Sequence, residues 1–344
     1  MSDTQVIPQF SVEVVKQSQP IEEVVQQSQP IEEVVQQSQP VKKELDCTLP
    51  KVSSLYIEFS EFRSIFRSDK KKFSKGGFGE VFKAVDLRDS KPIAIKRLVK
   101  ELSPAQSVET EILVGSESIS SNIVRTIAWT EDKMYYYIAM EYVKGDNLDK
   151  FCHDNPKYFC NNPIIAIRVI SDVLCGLIEL HSREIIHRDL KTMNVMLQTN
   201  MHGQIEKALI IDFGHSRKFL ELTDEISGSV NYIAPEAVTI ETRNERSQKM
   251  DIWALGIMIH FMIFNVYPFD FRSVREYFLH LAFLRNGKKS LNLQVLESDA
   301  NENLRKLYQI MTLCLKVNPI LRPSSEELHA ILIAENSQKE SSEK

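Results

Sequence analysis

IIHRDLKTMNVML, residues 185–197, sets a polar segment between two apolar runs. Short apolar runs of this kind read as strands, so Asp189 and Asn194 lie in the connection between them. A carboxylate can accept a proton from a hydroxyl. An amide oxygen five residues on can coordinate a divalent cation. IIDFGHS, residues 210–216, adds a second carboxylate, Asp212, at the end of another apolar run and just before a glycine. Acidic and amide oxygens together suit magnesium better than zinc.

Upstream, FSKGGFGEVF, residues 73–82, follows the spacing G-x-G-x-x-G-x-V with Ser74 in the first glycine place. Strand signals flank this loop, so its backbone N–H groups can face an anion. The segment Phe73, Ser74, Lys75, Gly76, Gly77, Phe78, Gly79, Glu80 and Val81 is therefore a candidate phosphate cradle. IAIK, residues 93–96, then puts Ile93 and Ile95 on one strand face and Ala94 and Lys96 on the other. A lysine on the same small sheet as a glycine loop is a candidate phosphate ligand.

The composition fits a globular protein long enough to bury a core. The net charge is −5, and residues 1–50 carry all of it, with eight acids against three bases. The remainder is close to neutral, which speaks against general nucleic-acid binding. Five scattered cysteines without a C-x-x-C pair suggest reduced thiols and an intracellular location, cytoplasmic or nuclear. The amino terminus lacks the layout of a signal peptide. The longest apolar run, residues 252–264, is too short to span a bilayer and contains His260, so no membrane role is expected.

Residues 11–50 are a tandem decapeptide array, SVEVVKQSQP, IEEVVQQSQP, IEEVVQQSQP and VKKELDCTLP. A proline every ten residues prevents a long helix, and the composition is that of a disordered segment. The array reads as a solvated spacer or as a multivalent docking or phosphorylation segment around Ser18, Ser28 and Ser38. Next, LYIEFSEFRSIF, residues 55–66, spaces Leu55, Phe59, Phe62 and Phe66 for a short helix. Strand patterns occupy roughly 70–142, interrupted by a helical stretch near 103–116. A helical region follows Pro163, whose first helix places Ile167, Ile170, Leu174, Leu177 and Ile178 on one face.

Taken together, residues 67–334 resemble the eukaryotic protein kinases of the serine/threonine type. HRDLKTMN matches the H-R-D-L-x-x-x-N loop, DFG is complete, and Ala234-Pro235-Glu236 supplies A-P-E. DIWALGI (251–257) resembles the family's buried anchoring helix, and Arg322 of NPILRP the buried partner of Glu236. The resemblance implies an α+β, bilobal kinase fold with a small β-rich lobe and a larger helical lobe. A repeat tail over 1–54 precedes it and a flexible end over 335–344 follows.

It also implies ATP and Mg2+ as cofactors and proteins as substrates. Asp189, Lys191 and Arg188 would be catalytic, and Asn194 and Asp212 would hold magnesium. Lys96 would grip the α- and β-phosphates. Glu141 and Val143, after a Met140 gatekeeper, would line the adenine site, Val143 through its backbone, and Asp146 would meet the ribose. Ser74 is then a tolerated departure, since serine can line a turn and offer its N–H. The helix carboxylate for Lys96 is Glu109 or Glu111. Glu111 has the family's usual distance to Asn122, but Glu109 fits E-x-x-I-L and is preferred, because Glu111 has Gly115 where a spine side chain belongs. Lys191 and Ser229 point to serine/threonine specificity, and Met193 replaces the glutamate of many basophilic kinases. In LELTDEISGS, residues 220–229, Glu225 beside Asp224 falls where a phosphorylated threonine would pair with Arg188, with Thr223 and Ser227 as alternative switches. The rival reading is a pseudokinase scaffold that recruits partners through its tail.

Overall fold

The computed structural model describes residues 55–75, 79–219, 227–238, 246–269, 271–291 and 293–334. The decapeptide array therefore lies outside the described residues. The first described helix, α1 (Phe59–Ile65), leads into a five-stranded antiparallel sheet made of β1 (Phe66–Lys75), β2 (Gly79–Asp86), β3 (Pro92–Val99), β4 (Thr126–Glu131) and β5 (Tyr135–Glu141). Its strand order is β1-β2-β3-β5-β4. The helix is shorter than the spacing of Leu55 predicts. Leu55–Ile57 is extended instead and pairs with Trp129 of β4.

Period-two alternation along β3 decides what each sheet face carries. Ile93 and Ile95 are buried on the face shared with Phe62, Phe66, Ala84 and Ala139. Lys96 and Leu98 point to the other face. There Leu98 packs with Trp129, Tyr136 and Ile138 against Val108 and Ile112 of α2 (Ala105–Glu117). The alternation that buries the isoleucines thus aims Lys96 toward α2.

Past β5 the chain is mostly helical, beginning with α3 (Leu148–Asp154), α4 (Tyr158–Asn161) and α5 (Pro163–Ser182). Pro163 opens α5, where a missing N–H costs no helix hydrogen bond. Strands β6 (Ile185–Ile186), β7 (Val195–Thr199), β8 (Ile205–Ile210) and β9 (Arg217–Lys218) form two small two-stranded sheets, β6 with β9 and β7 with β8. Helix α6 (Lys249–Phe264) is buried continuously from Asp251 to Ile263, as an all-round apolar helix must be. Helices α7 (Val274–Arg285), α8 (Glu302–Cys314) and α9 (Ser325–Ala334) complete the lobe. No described helix is long and apolar enough to cross a membrane.

One buried ion pair joins separate parts of this lobe. Arg322 donates to both carboxylate oxygens of Glu236, at 2.6 and 2.8 Å, and both side chains are fully buried. The guanidinium also donates to the carbonyls of Lys249, Lys316 and Val317 and lies over the Trp253 ring. Removing the cation leaves an uncompensated buried carboxylate, which typically costs about 3–5 kcal/mol. Arg322→Met should therefore lower the unfolding free energy by about that much in urea titration. An unchanged midpoint would show that the pair carries no net weight.

Candidate active site

The residues singled out in the sequence converge in two clusters. In the first, Lys96 of β3 donates from Nζ to both oxygens of Glu111 in α2, at 2.5 and 2.7 Å. It also donates to Oδ1 of Asp212 at 2.9 Å. Burial works against the lysine's charge, but the carboxylates of Asp212 and Glu111 outweigh it and hold Lys96 above the ordinary lysine range. The Lys96 cation in turn holds Asp212 below the ordinary carboxylate range, against the opposing effect of burial. A depressed carboxylate stabilises the fold above its unfolded pKa, and that contribution is lost only as pH falls through the folded value. Both groups are therefore charged at neutral pH.

This geometry corrects the preference for Glu109. Two residues apart on a helix means about 200° around its axis, so Glu109 and Glu111 cannot face the same lysine. Glu111 is buried at 5 % exposure and holds Lys96. The objection to it, a glycine four residues on, has a packing explanation. A Cβ at Gly115 would stand 2.3 Å from Thr126 Oγ1 and 3.0 Å from the Thr126 N. Helix α2 approaches β4 too closely for any side chain there. The distance from Glu111 to Asn122 was the signal in the sequence that pointed the right way.

The second cluster surrounds Asp189, which is 4 % exposed. Its Oδ1 accepts from the Ser229 N–H at 2.8 Å and the Ser229 hydroxyl at 2.9 Å. Its Oδ2 accepts from Lys191 Nζ at 2.7 Å and Asn194 Nδ2 at 3.2 Å. Lys191 also donates to Ser229 Oγ at 2.7 Å, and Asn194 Nδ2 to the Asp189 carbonyl at 2.9 Å. The loop is held from beneath by Asp251 of α6, which accepts from the His187 and Arg188 N–H groups at 2.8 and 3.0 Å. Arg188 and Asp212 both have positive φ, 65° and 66°. Non-glycine residues adopt that conformation only where their surroundings over-determine it. Phe213 is buried against the His187 ring, at 5.4 Å between centroids, and so ties the two loops together.

The remaining positions are more dispersed. Phe73, Ser74 and Lys75 are strand residues of β1, while Gly76, Gly77 and Phe78 lie outside the described residues. Gly79 and Val81 are in β2, and the Glu80 carboxylate is engaged by Arg97 at 2.6 Å. Glu141 accepts from the Arg125 N–H at 3.0 Å, so its side chain closes the end of the sheet. Val143 is buried just beyond, and the Asp146 carboxylate, half exposed, meets Lys150 at 3.2 Å. Thr223, Asp224 and Glu225 lie outside the described residues. Sequence reading missed His181, whose Nε2 is 3.0 Å from Asp251, and the bond between Thr192 and the Tyr232 hydroxyl at 2.9 Å. Only the fold brings these partners together.

Comparison with known proteins agrees with this geometry. A match to the protein kinase domain family covers residues 67–331. The chain belongs to the protein kinase family. The kinase domain is 30% identical over 283 residues to the dual specificity protein kinase zakA of Dictyostelium discoideum, covering 78% of this chain and 34% of that protein. It is 31% identical over 263 residues to the serine/threonine-protein kinase pakA of Talaromyces marneffei, covering 75% and 38%. Over 260 residues it is 30% identical to calcium-dependent protein kinase 4 of Plasmodium berghei, covering 72% and 46%. The chain thus spans less than half the length of these relatives.

ATP and Mg2+ are the family's cofactors, and the residues present fit them. Asp212 stays ionised beside Lys96, so its carboxylate is a hard oxygen ligand suited to magnesium. Asn194 spends its amide N–H on Asp189, so its carbonyl oxygen remains the group suited to a hard cation. No group of three or more His, Cys, Asp or Glu among the described residues could hold a metal alone. Magnesium takes one or two protein ligands and completes its shell with phosphate oxygens and water. Because Glu111 and not Glu109 orients Lys96, Glu111→Gln should weaken ATP binding roughly tenfold in calorimetry, while Glu109→Gln stays within about twofold. Equal effects would contradict the assignment.

Proposed function

We propose that this chain is an active serine/threonine protein kinase. The observation that carries the reading is the hydrogen-bonded set Asp189–Lys191–Asn194–Ser229, standing beside an intact Lys96–Glu111–Asp212 cluster. The polar groups that phosphoryl transfer needs are present among these residues. Asp189 would accept the proton of an incoming hydroxyl. Lys191, held against Asp189, would stabilise charge on the oxygens being transferred. Asn194 and Asp212 would bind magnesium, which supplies charge neutralisation on the phosphates. Lys96, oriented by Glu111, would hold the α- and β-phosphates against the glycine loop. The linker backbone at Val143 would meet adenine, and Asp146 the ribose.

Serine/threonine preference rests on Lys191 and its bond to Ser229. Protein substrates follow from this reading, and free cysteines throughout the described residues fit an intracellular setting. The functional unit is taken as residues 67–334, with the repeat array as a spacer or docking segment.

Lys96→Met and Asp189→Asn should each reduce phosphate transfer to a protein substrate by roughly a thousandfold or more while remaining folded by circular dichroism. Lys96→Met should have a lower thermal midpoint, because the buried Glu111 loses its partner. Near-normal rates in either folded variant would overturn the mechanism. A wild-type chain that binds ATP but transfers no phosphate would instead favour the pseudokinase scaffold.

A further inference from the structure

Residues 55–66 precede the family match, yet they grip both faces of the small sheet. Strand β4 is an edge strand, and unpaired edges leave a row of unsatisfied backbone groups. Here the edge is covered. The Trp129 N–H donates to the Leu55 carbonyl at 3.0 Å, and the Ile57 N–H donates to the Trp129 carbonyl at 3.2 Å. The Tyr56 ring meets Trp129 edge-on, with centroids 4.9 Å apart. Leu55 and Tyr56 pack against the cluster of Leu98, Trp129, Tyr136 and Ile138 with Val108 and Ile112 of α2.

The segment then crosses to the opposite face. Phe62 and Phe66 are buried there with Ile93 and Ile95 of β3, and the Phe59 ring lies 5.4 Å from Tyr137. The Ile65 carbonyl accepts from the Leu87 N–H at 2.8 Å. Lys96 stands one residue from Ile95, and Glu111 one residue from Ile112. Both halves of the Lys96–Glu111 pair are therefore carried by backbone that this segment presses from opposite sides.

We propose that residues 55–66 act as a strap that holds α2 against the sheet, with Tyr56 a positioning residue for the Lys96–Glu111 pair. For its effect on catalysis this rests on the phosphotransfer reading; for its effect on α2 it does not. Without the strap, Trp129 loses its ring partner and β4 its outer hydrogen bonds. The apolar seat of α2 loosens, and Glu111 leaves Lys96 for more of the time. ATP contacts made through Lys96 suffer first, whereas the peptide-binding lobe is untouched.

The test uses the full chain and its Tyr56→Ala, Tyr56→Phe and Ile57→Pro variants. Ile57→Pro removes the N–H that reaches Trp129 and gives the same reading should Tyr56→Ala fail to fold. Hydrogen exchange over residues 105–117 should quicken roughly three- to tenfold in Tyr56→Ala and Ile57→Pro, while α6 keeps its protection. The KM for ATP should rise by a similar factor with the KM for a peptide unchanged. Tyr56→Phe, which keeps the ring, should restore both. Unchanged exchange over 105–117, or an equal rise in α6, overturns the strap. Faster exchange there in a chain without kinase activity would uphold the strap and refute the phosphotransfer reading instead.

Discussion

One partly buried cation organises the active site. Lys96 meets Glu111 from α2 and Asp212 from the segment after β8, so a single ammonium joins three stretches distant in sequence. Two carboxylates on one lysine are stable only where the lysine stays charged and each carboxylate is held to it. Glu111 is the buried partner, and without Lys96 its carboxylate has little solvent to answer it. The placement of β3, α2 and the Asp212 loop is therefore a common requirement and not three separate ones. The ionised Asp212 carboxylate also explains why magnesium is a natural occupant.

The catalytic loop has a second anchor of the same kind. Asp251 lies in the most apolar helix among the described residues and spends its oxygens on the His187 and Arg188 N–H groups and on His181. Burial alone would raise its pKa, but His181 and the neighbouring donors hold it below the usual carboxylate range. An ionised, fully committed carboxylate at the base of the loop lets Arg188 persist at positive φ. It thereby fixes the direction of Asp189. Rigid support beneath a polar site is what transfer chemistry based on positioning requires.

Much of this was legible in the sequence because the decisive residues are close together along the chain. Asp189, Lys191 and Asn194 share one short connection, and its flanking apolar runs announced the strands that hold it. The alternation of Ile93 and Ile95 correctly turned Lys96 away from them. What could not be read were contacts made across long separations. Glu109 and Glu111 both sit on a helix with apolar neighbours. Only the approach of Gly115 to Thr126 shows why the glycine-bearing register is the one used. Leu55 fits a helical spacing equally well, yet the open edge of β4 offers its backbone better hydrogen bonds than one more helical turn. His181 and Tyr232 gave no local sign of their partners at all.

The central claim is that the Asp189 and Lys96 clusters together transfer phosphate to serine and threonine. The most direct measurement incubates the full chain with magnesium, ATP carrying a labelled γ-phosphate and a degenerate peptide library, followed by phosphoamino-acid identification. The account predicts labelled phosphoserine and phosphothreonine well above background, with phosphotyrosine at background. Nucleotide binding without label in any peptide, or label confined to tyrosine, would contradict it.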